Sequence, residues 1–149
     1  MRSPEHDLQV ACVKWFRLAY AHKIIFAIPN GGKRNIGTAI RLRAEGVLAG
    51  VPDLFIPEAN KKSHGLFIEM KAGKGTLSDN QKVIIPILVE KGYQVEVVRS
   101  AEEFIEVVNY FQKYSIGTLT TKDKSFRVYL LLKIRDDHPY IHQLRLEEE

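Results

Sequence analysis

The sequence predicts an α/β fold in which helices flank a mixed β-sheet. Segments with helical periodicity alternate with short β-prone runs from residue 3 to about residue 114, an order that is typical of α/β sandwiches. The 149 residues are 45% hydrophobic and 27% charged, so the chain is long enough and apolar enough to bury a core. We expect one principal domain over residues 1–114 and a shorter extension over residues 115–149.

Net charge and cysteine content narrow the class of protein. The formal net charge is +4 although the last three residues are glutamates, and a basic body suits a polyanionic partner, while it also serves solubility alone. The single cysteine, Cys12, provides no disulfide framework and no zinc cluster, which fits a reducing cytoplasm. No signal peptide is apparent, and the longest apolar run, Val128–Leu132, is far too short to span a membrane. We therefore expect a cytoplasmic protein.

The first helix begins at Ser3, an N-cap residue that is followed by Pro4 at the first helical position. We expect this helix to run to about His22 and to bury one stripe of side chains. The residues at the required spacing are Leu8, Cys12, Trp15 and Ala19. Glu5 lies three residues before Leu8 and falls on the same stripe. It is either a first-turn acid favoured by the helix dipole or an inward-facing group that needs a partner.

A glycine loop follows the β-prone run Lys23–Ile28. Pro29–Gly32 breaks the chain, and a second helix should start at Gly37 and end near Gly46. Basic residues are concentrated here: Lys33, Arg34, Arg41 and Arg43. A glycine loop that leads with basic residues into a helix suits a phosphate-contact surface, although a solvated helix face explains the same pattern.

Two short apolar runs carry acids where a core strand does not need them. Asp53 opens the first run and Glu69 ends the second, and the polar segment 58–64 should connect them as in a hairpin. Residues two apart in a strand share a face, so Glu69 and Lys71 point one way and Met70 points into the packing. If the runs pair, two carboxylates and a lysine form a site for a hard divalent cation and a water molecule. Alternatively, Asp53 caps a turn, and Glu69 and Lys71 form a solvent-facing pair.

Two polar features follow these acids. Residues 72–75 include two glycines, which let backbone approach a ligand, and Lys74 between them suits a phosphate contact. Ser78 and Gln81 fit a capping box that opens a helix ending at Gly92, and the same spacing brings Gln81 close to the acids, so both roles are open. We expect the apolar side of this helix to contain Val83, Ile84, Ile87 and Leu88.

The remaining pattern is a strand over Tyr93–Val98 and a helix over Ala101–Tyr114. This helix should bury Phe104, Val107, Val108 and Phe111. Further on, Phe126–Ile134 and Tyr140–Leu146 alternate in hydropathy around a turn at Asp136–Pro139. We expect a β-hairpin that either covers a sheet edge or pairs with a second subunit.

The pattern of Pro52-Asp53 followed by Glu69-Met70-Lys71 resembles the PD-(D/E)XK nuclease superfamily. Its wider context is similar to the VRR-Nuc (virus-type replication-repair nuclease) family over about residues 5–113. The likeness rests on four segments in order: Pro29–Arg34, Gly50–Asp53, Glu69–Gly73 and Leu77–Gln81. The resemblance implies a restriction-endonuclease-like mixed sheet flanked by helices, here with the C-terminal hairpin as an extension.

The same resemblance implies a metal-dependent DNA endonuclease. Asp53 and Glu69 would bind Mg²⁺ or Mn²⁺, with the backbone carbonyl of Met70 as another ligand. Lys71 would orient the attacking water or stabilise charge on the phosphate. Two supporting residues are carried over: Glu5, as a further metal or water contact, and Gln81. The candidate DNA contacts are Asn30, Gly31, Lys33, Arg34, Arg41 and Lys74.

Small stand-alone members of the resembled family suggest a branched DNA substrate such as a Holliday junction. A homodimer would supply two cutting sites, one for each strand. The resemblance also suggests a phage or prophage protein in a bacterial host. Alternatives are a restriction-type or single-strand nuclease on linear DNA and a non-catalytic DNA-binding module, and RNA as the substrate stays open.

Overall fold

The computed structural model describes residues 3–30 and 35–114, which form a four-stranded mixed sheet and four helices. In chain order these elements are α1 (Pro4–Ala19), β1 (Phe26–Ala27), α2 (Ile36–Ala44), β2 (Leu54–Ile56), β3 (Leu66–Met70), α3 (Asp79–Glu90), β4 (Gln94–Val98) and α4 (Ala101–Lys113). The predicted C-terminal hairpin lies outside the described residues.

The strand order is β1-β2-β3-β4. The pairs β1–β2 and β2–β3 are antiparallel, whereas β3 and β4 are parallel, with α3 as the crossover between them. The segment between β2 and β3 is therefore the hairpin-like connection that the sequence predicts. This topology confirms the predicted α/β fold with a mixed sheet.

One face of the sheet carries the hydrophobic core, which α1 and α4 cover. The buried side chains from the strands are Leu54, Ile56, Leu66, Ile68, Met70 and Val98, and those from the two helices are Cys12, Phe16, Phe104, Val108 and Phe111. Trp15 packs edge-on against Phe104, with ring centroids 6.0 Å apart. The buried residues of α4 confirm the predicted stripe of that helix, with Val107 partly buried beside them.

The opposite face carries packed aromatic side chains, among them Phe55 and Phe67 with ring centroids 4.3 Å apart, and at the end of β3 it carries the polar groups of the site. The antiparallel register of β2 and β3 places Asp53, one residue before β2, beside Glu69 of β3. Met70 is buried in the core, as the strand alternation predicts, so Glu69 and Lys71 lie on the other side of the sheet. The first turn of α3 reaches this side, because Gln81 bonds Glu69.

Helix α1 ends earlier than the prediction near His22. Tyr20 leaves the helical geometry while its N–H still donates to the carbonyl of Phe16. The predicted stripe is also wrong at its last residue, because Phe16 is buried and Ala19 is exposed. The stripe continues from Cys12 to Phe16, four residues later, which keeps both side chains on the face that meets α4.

Helix α2 begins slightly before the predicted Gly37. Asn35 is its N-cap, and the side-chain oxygen of Asn35 accepts a hydrogen bond from the N–H of Thr38 at 2.8 Å. The helix ends at Ala44, close to the predicted end. Strand β1 covers two residues of the predicted β-prone run.

The predicted apolar side of α3 is wrong at two of its four positions. Val83 and Ile87 are 61% and 45% exposed, whereas Ile84 and Leu88 are half-buried. The side of α3 that packs on β4 is turned from the predicted one, because two further residues are half-buried, Gln81 and Ile85. Within the described part of the chain, no helix is long and apolar enough to cross a membrane.

Candidate active site

The site is built around the adjoining ends of β2 and β3. Asp53 lies directly before β2, and its Oδ2 accepts a hydrogen bond from the backbone N–H of Met70 at 2.9 Å. This bond crosses from one strand to the other and fixes the Asp53 carboxylate at the edge where Glu69 emerges. The pairing of two strands therefore brings together two acids that lie sixteen residues apart in sequence.

Glu69 is the most buried charged group of the site, with 1% relative exposure. Its Oε1 accepts hydrogen bonds from Lys71 Nζ at 2.7 Å and from Gln81 Nε2 at 2.6 Å. Its Oε2 is also buried and has no hydrogen-bond partner among the described residues. A buried carboxylate oxygen without a donor is unfavourable, so this atom is suited to a bound cation or another donor.

The electrostatics of the two acids agree with that interpretation. Burial is the largest influence on Asp53 and raises its pKa, against the opposing effects of the Met70 N–H and the Lys71 charge. Burial also raises the pKa of Glu69, and the negative charge of Asp53 adds to the rise, while the bonds from Lys71 and Gln81 oppose it. Both carboxylates are therefore held in a place where their negative charge lacks full compensation.

Gln81 performs two structural tasks with one residue. Its Oε1 accepts from the N–H of Ser78 at 2.9 Å, and its backbone N–H donates to Ser78 Oγ at 3.3 Å, which completes a capping box at the start of α3. Its Nε2 remains available and donates to Glu69. The two contacts that the sequence left open for Gln81 are thus both present.

The close approach of α3 depends on a glycine. Gly50 has φ +95°, and a Cβ atom added there would lie 2.5 Å from the carbonyl oxygen of Asn80. Only glycine lets the segment that leads to Asp53 pass this close to the first turn of α3. In the predicted Gly50–Asp53 motif, the acid belongs to the site, and the glycine is required by the close packing against α3.

Glu5 faces the edge of the site from the first turn of α1. Its Oε1 accepts a hydrogen bond from the N–H of Ala72 at 3.2 Å, and its charge is close enough to raise the pKa of Asp53. The inward orientation of this acid agrees with the sequence pattern. Its bonded partner is the loop that follows Lys71, so its observed contact is with backbone.

The candidate DNA contacts are placed unevenly. Asn30 is half-buried, and its Nδ2 donates to the carbonyl of Val51 at 2.6 Å, so its amide links the glycine loop to the Asp53 segment. Arg41 is on the surface of α2 with its side chain 71% exposed, 3.5 Å from Glu45. Lys74 is exposed in the loop after β3. The candidates that lie outside the described residues are Gly31, Lys33 and Arg34.

Arg99 is a residue of this region that the sequence reasoning missed. Its Nη1 donates to the carbonyls of Gly73 and Gly75 at 3.0 and 2.8 Å. The available signal was its position after β4, because the ends of the parallel strands β3 and β4 meet at one edge of the sheet. A polar residue directly after β4 therefore lies beside the residues that follow Lys71 at the end of β3.

The site offers two carboxylates, Asp53 and Glu69, to a hard cation. Within residues 3–30 and 35–114 no group of three or more histidine, cysteine, aspartate or glutamate residues is arranged to hold a metal ion. Mg²⁺ often takes only one or two carboxylates and completes its shell with water and phosphate oxygens. Asp53 and Glu69, with the unpartnered Oε2, fit that requirement, and the carbonyl of Met70 as a ligand stays a prediction.

Comparison with known proteins agrees with the fold and the motifs. The sequence profile of the VRR-NUC domain matches residues 2–102. A solved structure described as "VRR_NUC domain protein" is 27% identical in sequence and superposes with a TM-score of 0.63, covering 76% of this chain and 92% of that one. No curated protein matches the sequence significantly. Because the domain profile covers well over half of the sequence, this chain belongs to the VRR-NUC family.

Proposed function

We propose that this protein is a metal-dependent DNA endonuclease that hydrolyses phosphodiester bonds. Membership of the VRR-NUC family makes it a nuclease of the PD-(D/E)XK type. The observation that carries the metal dependence is the buried Oε2 of Glu69, which lacks a donor among the described residues and lies beside a second acid, Asp53. A site with this demand for positive charge favours a divalent cation.

The chain's own residues would hold the ion and the substrate. Asp53 and Glu69 would bind Mg²⁺ or Mn²⁺, with the Met70 carbonyl as a further ligand. The bound ion would polarise the phosphate and lower the pKa of a coordinated water. The Met70 N–H restrains the Asp53 carboxylate, while Gln81 and Lys71 restrain Oε1 of Glu69 and leave Oε2 available.

Lys71 would supply the positive charge that the reaction needs. Its ammonium group is 2.7 Å from Glu69 Oε1, and its side chain is only 14% exposed. A cation in such a place orients the attacking water or stabilises the charge that develops on the phosphate. Glu5 supports this arrangement from α1 through its bond to Ala72, and Glu5 as a metal or water contact remains part of the proposal.

We further propose that the substrate is branched DNA and that the active species is a homodimer. The net charge of +4 suits a polyanion, and a junction offers two equivalent strands for two sites. Each of α2 and α3 exposes two apolar side chains at helical spacing, and exposed apolar side chains of this kind support contact with a second copy: Ile36 and Ile40 on α2, Val83 and Ile87 on α3. The setting would be the cytoplasm of a bacterial host, with a phage or prophage origin.

The test is incubation of the purified protein with a labelled four-way junction and a matched linear duplex. Each substrate is combined with Mg²⁺, with Mn²⁺ and with EDTA. The Lys71→Ala variant is compared with Lys91→Ala, which removes an equal charge at the far end of α3. We expect cutting of the junction that needs the metal, is lost in Lys71→Ala and persists in Lys91→Ala.

Other results would revise the proposal in defined ways. Equal cutting of both DNAs would keep the nuclease and refute the preference for junctions. Metal-independent cutting, or cutting retained in Lys71→Ala, would refute the assigned site. Salt-sensitive binding without cutting in any condition would identify a non-catalytic DNA-binding protein.

A further inference from the structure

We propose that Arg99 is a positioning residue that holds the loop of residues 72–75, and through it Lys74, against the phosphate backbone of the bound DNA. The restraint of the loop is a property of the fold alone. The contact with DNA rests on the proposed nuclease function. The inference therefore has two parts that separate experiments can test.

The contacts of Arg99 enclose Lys74 on both sides. A single nitrogen, Nη1, donates to the carbonyl of Gly75 at 2.8 Å and to that of Gly73 at 3.0 Å. Because the donor is charged, these are stronger than neutral hydrogen bonds. The backbone on either side of Lys74 is thereby tied to one point, while its side chain remains exposed.

The loop is also held from the other direction. The N–H of Ala72 donates to Glu5 on α1 at 3.2 Å, and the N–H of Gly75 donates to the carbonyl of Ala72 at 3.0 Å. A Cβ added at Gly75 would lie 3.5 Å from Lys71 Cδ and 3.8 Å from Glu5 Oε1. The loop thus closes over the side chain of Lys71, between a restraint from α1 and a restraint from the end of β4.

Arg99 is itself well anchored. It lies between the last residue of β4 and Ser100, the N-cap of α4, and its backbone N–H donates to Glu103 Oε2 at 2.7 Å. Its side chain is therefore an extension from a fixed part of the sheet to a glycine-containing loop. Arginine presents several N–H groups in a planar arrangement, whereas lysine offers one compact ammonium group, so the Arg99→Lys variant could reproduce only part of the restraint.

Such a restraint suits a loop that contacts a polyanion. Two glycines in four residues give the free loop a large conformational entropy, and ordering it during binding would weaken affinity. Bonds already made to Arg99 and Glu5 remove much of that loss before the DNA arrives. The backbone of Lys74 is then held in a loop that packs beside Lys71 and Glu5, next to the proposed position of the substrate phosphate.

Limited digestion with trypsin tests the restraint without any DNA. The bond after Lys74 is the reporter, and the proteins compared are the wild type, Arg99→Ala, Arg99→Lys and Arg17→Ala. Arg17 is an exposed arginine in the last turn of α1, about 18 Å along the helix from Glu5. We expect Arg99→Ala to be cut after Lys74 at least about tenfold faster than the wild type, Arg99→Lys to be intermediate and Arg17→Ala to be unchanged.

A measurement of thermal unfolding accompanies the digestion. We expect Arg99→Ala to unfold within about 3 °C of the wild type, since only a surface loop is released. Faster cutting at every tryptic site, with a large drop in unfolding temperature, would show a general loss of stability and refute the positioning role. An unchanged rate after Lys74 would refute the restraint directly.

DNA binding in EDTA tests the second part, because no metal-dependent cutting interferes. Fluorescence titrations with a labelled four-way junction compare Arg99→Ala, Lys74→Ala and the double variant. We expect each single change to raise Kd about tenfold, and the double variant to bind no more than about twofold weaker than Lys74→Ala. Partial recovery in Arg99→Lys would agree with a positional role.

A fully additive loss in the double variant would refute the role of Arg99 through Lys74, because it would show an independent action of Arg99 on the DNA. A wild-type Kd that Lys74→Ala leaves unchanged would refute the contact as well. These results are independent of cleavage. The proposed hydrolysis could fail while the loop restraint and the binding cycle hold, and the reverse outcome is equally distinguishable.

Discussion

The two faces of the sheet differ in the kind of side chain that they bury next to the site. In the core between one face of the sheet and the helices α1 and α4, side chains such as Leu54, Ile68 and Phe104 are completely buried and apolar. On the other face, equally deep burial is imposed on Glu69, a carboxylate, and one of its oxygens lacks a donor among the described residues. Burial of the apolar side chains contributes favourable free energy, whereas burial of the Glu69 carboxylate costs free energy.

This contrast indicates where stability and function are separated in the fold. Met70 and Glu69 are neighbours in β3, yet the alternation of the strand sends one into the core and the other into the site. Residues that stabilise the fold by packing in the core are therefore direct neighbours of the residues of the site. A rigid strand can then keep a carboxylate buried although burial raises its pKa. A flexible loop would instead move the carboxylate into solvent and remove the cost of burial.

The largest expected effect comes from one substitution on each face. Glu69→Gln keeps the shape of the side chain and should lower the rate of DNA cleavage by at least about 10²-fold while the protein stays folded. Phe104→Ala should destabilise the protein by about 3–5 kcal/mol, because it empties a fully buried site next to Trp15. Urea unfolding and cleavage assays on both variants measure the separation. A Glu69→Gln protein that is as unstable as Phe104→Ala would contradict it.

A smaller effect on folding is expected at Gly50, where the segment that leads to Asp53 passes the first turn of α3. Gly50→Ala forces a side chain into a positive-φ position with only 2.5 Å to the Asn80 carbonyl oxygen. We expect a loss of about 1–3 kcal/mol in the free energy of unfolding and a displaced first turn of α3. Because that turn holds Gln81 against Glu69, the rate of DNA cleavage should fall too.

Gly46→Ala is the matched control, since Gly46 has the same φ of +95° and open space around it. An equal loss in both variants would show that φ alone matters.

The raised pKa values of Asp53 and Glu69 give a pH dependence of defined sign. In the folded protein the pKa values of Asp53 and Glu69 are raised above their ordinary values of 3.8 and 4.5. Both acids therefore keep their protons up to a higher pH in the folded protein than in the unfolded chain. Between those values and the folded pKa, the folded state carries more protons than the unfolded state, so stability decreases as the pH rises through this window. Unfolding in EDTA should therefore show wild type losing stability with rising pH relative to Asp53→Asn. Added Mg²⁺ should reduce that loss if the proposed metal site is correct, because a ligand of the ionised folded state stabilises that state.

Much of the site was predictable because short-range rules fix it. Strand alternation separates Met70 from Glu69 and Lys71, and the hairpin-like connection pairs β2 with β3, which brings Asp53 to the same edge. The capping pattern of Ser78 and Gln81 is equally local. Each of these inferences needs only the spacing of residues and the geometry of one element or one pair.

The features that the sequence did not reveal depend on packing between distant elements. The bonds from Arg99 to Gly73 and Gly75 span 26 and 24 residues, and no periodicity reports them. The exposure of Val83 and Ile87 depends on which side of α3 packs against the sheet, and the helical pattern alone does not specify that side. The bond from the Asn30 amide to the carbonyl of Val51 is another tertiary contact of this kind, and the role of Asn30 at the DNA stays a prediction.

The smallest expected effect tests how far the site depends on the cap of α3. Ser78→Ala removes the oxygen that accepts from the Gln81 N–H, which should cost about 1 kcal/mol in the free energy of unfolding. Cleavage should fall less than in Gln81→Ala, because the backbone N–H of residue 78 still donates to Gln81 Oε1 and keeps Nε2 directed at Glu69. Ser78→Thr restores an N-cap oxygen and should recover the stability. A loss of cleavage in Ser78→Ala as large as that in Gln81→Ala would show that the cap, rather than the bond between Gln81 and Glu69, holds the carboxylate in place.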